Sequence, residues 1–300
     1  MQNAFDVLAL LQPSCTSFFR PIGHKRSQRA QASSRMAMKL VKYLPTEPLK
    51  PHIKCYVVSE NELGTEYKVF PSTGLVIGLQ YKGHLATLSG NSETVLAPAG
   101  ITGISESFKT FKSSPHIGTV LVYFTETGFA NFSRLPAHEL FNLSLSLEDI
   151  FGREDISVVR DKLASAATDQ QRIQIVEQFL LPQLGDLNQD KLVIEAVKLI
   201  YDSRGAMRTG ELSKRLFISQ SPLEKRFRKT VCTTPKKFAS IVRFNALRQD
   251  LGKTQSLTEL CYEYQFFDQA HFNKDFKKFT GHTPEDFRRL YFKGESHGSF

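Results

Sequence analysis

Between Gln269 and Thr280 the chain sets amides and amines on one side of a helix and phenylalanines on the other. Phe272, Phe276 and Phe279 recur at helical spacing and form an inner face. Gln269, Asn273, Lys274, Lys277 and Lys278 fall on the opposite side. Amide side chains can pair with base edges in a DNA major groove, and lysines can meet guanine or phosphate. A plain amphipathic surface helix with a solvated basic face would carry the same pattern. A comparable stretch lies upstream, where Ser221, Glu224, Lys225 and Arg228 face out and Leu223 and Phe227 face in.

The flanking residues predict elements that could hold such helices in place. Ser256, with Glu259 three residues on, starts a helix whose apolar face is Leu257, Leu260, Cys261 and Tyr264. Gln265-Phe266-Phe267 is too short for anything but a turn. Asp268 then caps the amide-bearing helix against its exposed N–H groups, and Gly281 ends it. Upstream, KLVIEAVKLIYDS reads as a helix closed by Gly205, followed by ELSKRLF from Thr209 or Gly210. The next helix has an ambiguous start. Ser221 is favoured locally, since Pro222 would occupy the first helical position and Glu224 would complete a capping box. A long helix from Thr234-Pro235 to Leu251 joins the two units, and Thr283-Pro284-Glu285 opens a last one.

Phe266, Asp268-Gln269, His271-Phe272, Phe276, Gly281, Thr283-Pro284 and Phe287-Arg288 stand in the order and spacing of the signature of AraC/XylS-type transcription regulators. The chain resembles that family over about its last hundred residues. The resemblance implies two helix-turn-helix units on one connecting helix, entering successive major grooves about 34 Å apart. It places the cap of the first reading helix at Ser219. Carried over by position, the base-reading residues would be Ser221, Glu224 and Lys225 in the first unit. In the second they would be Gln269, Asn273 and Lys274, with Ala270 offering a methyl group. Arg228, Lys229, Lys236, Lys237, Lys277 and Lys278 are the expected phosphate contacts, and Arg243 matches a structural arginine. Phe217, Gln265 and Cys232 stand where the family carries glycine. Glycine commonly permits a positive φ there, so these turns should be altered or strained.

Charge supports the same division. Residues 191–300 hold 21 Lys and Arg against 12 Asp and Glu, whereas residues 38–190 hold 13 against 17. Basic charge gathered where the paired helices lie is the footprint of a phosphate-binding domain. No run is long enough to span a membrane. Cys15, Cys55, Cys232 and Cys261 show no metal-ligand or redox spacing and read as free thiols in a reducing cytosol. His52, His84, His116 and His138 form no His-x-His pair. No metal or cofactor is expected, and no phosphate loop, nucleophile elbow or catalytic Cys/His arrangement points to an enzyme.

Residues 39–125 read as seven or eight short strands, LVKYLP through GTVLVYF, separated by Pro, Gly, Ser and Asn. They suggest a small barrel or double-sheet roll, either enclosing a ligand cavity or filled by its own core. A short helix is expected around Gly128–Leu135. The strands, a turn with Pro136 and His138, and the segment SLEDIFG resemble a domain of unassigned function often fused to AraC-type domains. That resemblance implies a cupin-like sensory domain with no assigned ligand. Ile156–Ala167 and a helix starting near Thr168-Asp169 form an amphipathic pair, read either as a dimerisation element over 154–183 or as packing on its own sheet. LGDLNQ, residues 184–189, is the expected linker.

The expected fold is α+β and multidomain, a β-rich cupin-like barrel or roll with helices, followed by an all-α domain with two helix-turn-helix units. Residues 1–37 read as a disordered tail, a targeting segment or no part of the natural product. Residues 38–145 form the sensory domain, 146–190 the helical pair and linker, 191–293 the DNA-binding domain and 294–300 a tail. The expected function is a sequence-specific transcription regulator in a bacterial cytoplasm. Its partners would be double-stranded DNA, a small-molecule effector in the N-terminal domain, and a second copy through 154–183. An architectural nucleic-acid binder, or an enzyme with a fused DNA-binding domain, are the alternatives.

Overall fold

The computed structural model describes residues 38–185, 190–253 and 256–292. The readings of residues 1–37 and 294–300, and most of the linker at 184–189, lie outside the described residues.

Among the described residues ten strands form two antiparallel sheets. They are β1 (Met38–Tyr43), β2 (Ile53–Asn61), β3 (Glu66–Val69), β4 (Val76–Lys82), β5 (Leu85–Ser89), β6 (Ser92–Val95), β7 (Ala99–Thr102), β8 (Lys109–Ser113), β9 (Ile117–Phe124) and β10 (Ser144–Ser146). The larger sheet runs β1-β2-β9-β4-β7-β10 and the smaller β3-β8-β5-β6. Ten helices follow: α1 (Glu148–Phe151), α2 (Arg153–Ser165), α3 (Asp169–Leu180), α4 (Lys191–Asp202), α5 (Thr209–Arg215), α6 (Gln220–Val231), α7 (Pro235–Asp250), α8 (Leu257–Glu263), α9 (Gln269–Thr280) and α10 (Pro284–Tyr291).

Period-two alternation assigns the two faces of the larger sheet to different tasks. Ile77, Leu79 and Tyr81 of β4, with Val120, Val122 and Phe124 of β9, point to one side and belong to the main core. At about 1.5–3 kcal/mol for each fully buried large apolar side chain, this face supplies much of the domain's stability. Val76, Gly78 and Gln80, with Thr119, Leu121 and Tyr123, point to the other side, toward the smaller sheet. Glycine, threonine and glutamine there cannot fill the gap, and a cavity of about 300 Å³ remains between the sheets. Of the two readings of the barrel interior, the cavity is the one the structure displays.

The helical pair covers the filled face. Ile156, Val159 and Leu163 of α2 and Ile173, Val176 and Leu180 of α3 are buried on it. Thr168 caps α3 in a reciprocal box with Gln171. Asp169 accepts from Lys39 Nζ at 2.9 Å and from the Tyr43 hydroxyl at 3.1 Å, and the Arg172 guanidinium stacks 4.2 Å over the Tyr81 ring. The apolar faces of the pair are thus used on the chain's own sheet.

The helix expected around Gly128–Leu135 is instead one 3₁₀ turn, Phe129–Asn131, and a second turn, Ala137–Leu140, follows Pro136. Asn131 Nδ2 donates to the Thr127 and Gly128 carbonyls at 3.2 and 3.3 Å, acceptors that a continuing α-helix would give to backbone N–H groups.

The helical half docks against the β-rich half through the segment around residues 70–73. The Phe70 and Phe287 rings lie 5.6 Å apart, and Asn245 Nδ2 donates to the Pro71 carbonyl at 3.4 Å. The Tyr201 hydroxyl donates to the Glu126 carboxylate and lies 2.8 Å from Thr73 Oγ1. Burial would raise the Glu126 carboxyl, but Lys54 at 2.6 Å and Tyr201 hold it below its ordinary value. No helix among the described residues is long and apolar enough to cross a membrane.

Candidate nucleic-acid interface

Two helix–turn–helix units, α5–α6 and α8–α9, are joined by α7. At about 1.5 Å per residue, the 16 residues of α7 span about 24 Å. Each unit turns on the same backbone device. Phe217 has φ +51° and Gln265 φ +53°, and the next residue's N–H bonds back to the preceding helix, Ile218 to Ser213 and Phe266 to Cys261, at 3.1 and 3.0 Å. Cys232, which ends α6, has φ +76°. All three non-glycine residues therefore hold the left-handed conformation that glycine adopts without strain. Of the two outcomes anticipated for these turns, strain is the one observed, and the turn geometry is kept.

The Phe217 side chain is 98% exposed and gains nothing from packing. Cys232 is buried, and burial pushes its thiol up to about 11, with the nearby Ile104 backbone partly offsetting the rise. Arg243 braces the second turn, with its guanidinium 4.4 Å over the Phe266 ring.

The reading helices start in different ways. Asp268 caps α9, accepting from the His271 N–H at 2.6 Å. Helix α6 begins at Gln220 with Ser219 as its cap, so the start at Ser221 favoured by local pattern is corrected. Ser219 makes no side-chain cap bond. The position that usually donates to a cap, three residues on, is Pro222, which has no N–H. The proline that suggested a later start is the reason the true cap is unfulfilled.

Aligned on these caps, the two heads match position by position. Gln220, Ser221, Glu224 and Lys225 take the places in α6 that Gln269, Ala270, Asn273 and Lys274 take in α9. All are exposed except Asn273, which is partly buried. Beneath them Leu223 and Phe227, and Phe272 and Phe276, are buried. Gln220 was absent from the sequence-derived set because the Ser221 cap left it in the turn. Counting both helices from the family-placed cap would have found it.

The six residues expected at phosphate divide into two groups. Arg228, Lys229, Lys236 and Lys277 are exposed, and no ion pair engages them among the described residues. Lys237 and Lys278 are both held by Glu106 of the β-rich half, Lys278 at 3.2 Å. Lys237 chiefly, with Lys278, holds the Glu106 carboxyl below the usual glutamate range. Glu106 thus bridges the start of α7 to the last turn of α9. On the back of α6, Arg226 makes a two-pronged bond to Asp190 at 2.8 and 2.6 Å, fixing the helix to the start of α4.

Residues 212–290 match a family model described as a helix-turn-helix domain, and residues 41–146 match one described as a domain of unknown function (DUF6597). The chain carries an AraC-type helix-turn-helix domain. The Msm operon regulatory protein of Streptococcus mutans is 30% identical over 119 residues, covering 38% of this chain. The chain spans 43% of that relative's length. Among solved structures, ToxT from Vibrio cholerae is similar at TM-score 0.42 and 10% identity, over 77% of this chain and 96% of that one. The AraC-like transcriptional activator CuxR is similar at TM-score 0.31 and 13% identity, over 71% and 80%. A β-rich N-terminal half ahead of the AraC-type domain is the architecture expected from the sequence. The described residues contain no group of three or more His, Cys, Asp or Glu able to hold a metal.

Proposed function

We propose that this protein is a sequence-specific DNA-binding transcription regulator whose two AraC-type reading helices enter successive major grooves. The observation that carries the reading is the matched pair of exposed faces. Each presents glutamine first, a small residue next, and a polar residue and lysine one turn on, over a buried phenylalanine underside. In this reading Gln220, Gln269 and Asn273 meet adenine, Lys225 and Lys274 meet guanine, and Glu224 accepts from cytosine. Ser221 and Ala270 give short-range contacts. Arg228, Lys229, Lys236 and Lys277 bind phosphate.

Control comes from the N-terminal half, residues 38–145, through a small-molecule effector in the inter-sheet cavity. Lys237 and Lys278 are also phosphate ligands in this reading, but only when Glu106 releases them. DNA and the β-rich half therefore compete for the same two amines.

Binding of the full chain to its own upstream region and to scrambled DNA, over a range of salt, tests the proposal. A footprint of about two helical turns, surviving salt that removes the scrambled complex, is expected. Equal and steeply salt-sensitive binding to both would reduce the protein to a non-specific binder.

A further inference from the structure

The two reading heads are built alike but for one residue. In the first, Phe217 takes the positive φ, Ile218 follows, and Ser219 caps α6. In the second, Gln265 takes the positive φ, Phe266 and Phe267 follow, and Asp268 caps α9. The second turn is longer by one residue, although the N–H after the left-handed residue bonds back to the preceding helix in the same way in both.

The additional residue is Phe267. A hydrophobic residue just before a helix cap ordinarily packs on the fourth residue of the helix and fixes the entry angle of the chain. In the first head that pair is Ile218 and Leu223, and Ile218 is half-buried against the core. In the second head the fourth residue is Phe272, and Phe266 packs on it instead, with ring centroids 5.1 Å apart. Phe266 is half-buried against the same core, under the Arg243 guanidinium. Phe267 is left 91% exposed.

A single exposed apolar side chain is ordinary on a protein surface, so exposure alone assigns Phe267 nothing. Its place does. A reading helix meets base edges with its N-terminal residues. Phe267 stands at that end of α9, directly ahead of Asp268, Gln269 and Ala270, all of them exposed. A phenyl ring has no hydrogen bond to offer a base edge. The apolar feature that a base pair shows in the major groove is the C5-methyl group of thymine, and phenylalanine is among the side chains suited to it. The ring is already free of the core, so such a contact breaks no packing inside the protein and removes apolar surface from water on both partners.

We propose that Phe267 reads thymine, through contact of its ring with the C5-methyl group, at a base pair beside the one met by Gln269. The proposal rests on the regulator reading above and adds a position to the sequence read by the second head. The first head has no counterpart, because the residue before its cap is the half-buried Ile218.

Selection of duplexes from a random pool by the full chain, in parallel with Phe267→Ala, tests it. The unmodified chain should enrich thymine at one position in the second head's half of the site. Phe267→Ala should lose that enrichment and keep the rest of the selected sequence. In duplexes of the selected sequence, replacing that thymine with uracil removes only the methyl group. The unmodified chain should then bind about fourfold more weakly, as the burial of one apolar carbon is worth. Phe267→Ala should bind the thymine and uracil duplexes equally, and Phe267→Leu should retain part of the difference. These ratios are internal to each variant, so a general loss of stability does not imitate them. Identical selected sequences from the two chains, or equal binding of thymine and uracil duplexes by the unmodified chain, would each overturn the proposal and leave the regulator reading standing. So would a Phe267→Ala chain that binds every duplex more weakly but still separates thymine from uracil, since the ring would then touch the sugar–phosphate backbone. If the unmodified chain enriches no sequence at all, the regulator reading fails and the proposal with it.

Discussion

Phe217 offers a direct measure of what the first reading head gives up by lacking glycine. Its φ of +51° lies in the left-handed region, and its side chain is 98% exposed. A left-handed conformation costs an L-residue roughly 1–2 kcal/mol. Replacing Phe217 with glycine relieves that cost and removes almost no buried surface. Glycine in turn makes the unfolded chain freer, an offset of about 0.4–1 kcal/mol. The balance is a stabilisation of about 0.5–1 kcal/mol, or a rise of roughly 1–4 °C in the melting temperature for a chain of this size. Thermal and urea unfolding of the full chain would measure it, with Phe217→Ala as the control. Alanine loses the same exposed ring but keeps the Cβ, so it should melt with the unmodified protein. If Phe217→Gly and Phe217→Ala unfold together, the strain assignment is wrong.

Three further outcomes are expected. Cys232→Gly should not show the same gain despite its φ of +76°, because it loses a buried thiol packed in the core; unfolding beside Phe217→Gly reads the contrast. Lys274→Ala should weaken specific binding by about 1–3 kcal/mol and relax choice at one base pair, as read by binding to an operator series. Glu106→Gln should free Lys237 and Lys278, raising DNA affinity about two- to fivefold, the range of partly exposed ion pairs. The carboxyl of Glu106 sits below its ordinary value, so the docking it contributes is complete above about pH 4.3. That contribution is lost as pH falls through the depressed folded pKa. Acid titration of the unmodified chain should show this limb, and Glu106→Gln should lack it.

Much of the helical half could be read from the sequence because its signals are local. Asp268, Thr283-Pro284, Gly281 and the Phe272–Phe276–Phe279 stripe act within one or two turns, and each helix they announce is present. Local reading failed at the start of α6, where Pro222 suggested a late cap, and Gln220 went unnoticed with it. Among the strands, β7 (AGIT), β8 (KTFKS) and β10 (SLS) were not singled out. They are three to five residues long and too rich in Gly, Ser and Lys to show clear alternation. They are strands because longer neighbours supply their hydrogen bonds.

What the sequence determined by itself was the pattern of each element, its caps and its charge, since these depend on residues a few positions apart. Three features depended on tertiary structure. The face of the larger sheet that is filled and the face that is hollow follow from where α2 and α3 pack. The cavity's walls come from strands of different sheets, Gln80 on β4 and Lys109 on β8. Glu106 meets Lys237 and Lys278, 131 and 172 residues away, only because the two halves dock. Contacts at such separations are set by how whole surfaces bury one another, and no short-range pattern encodes them.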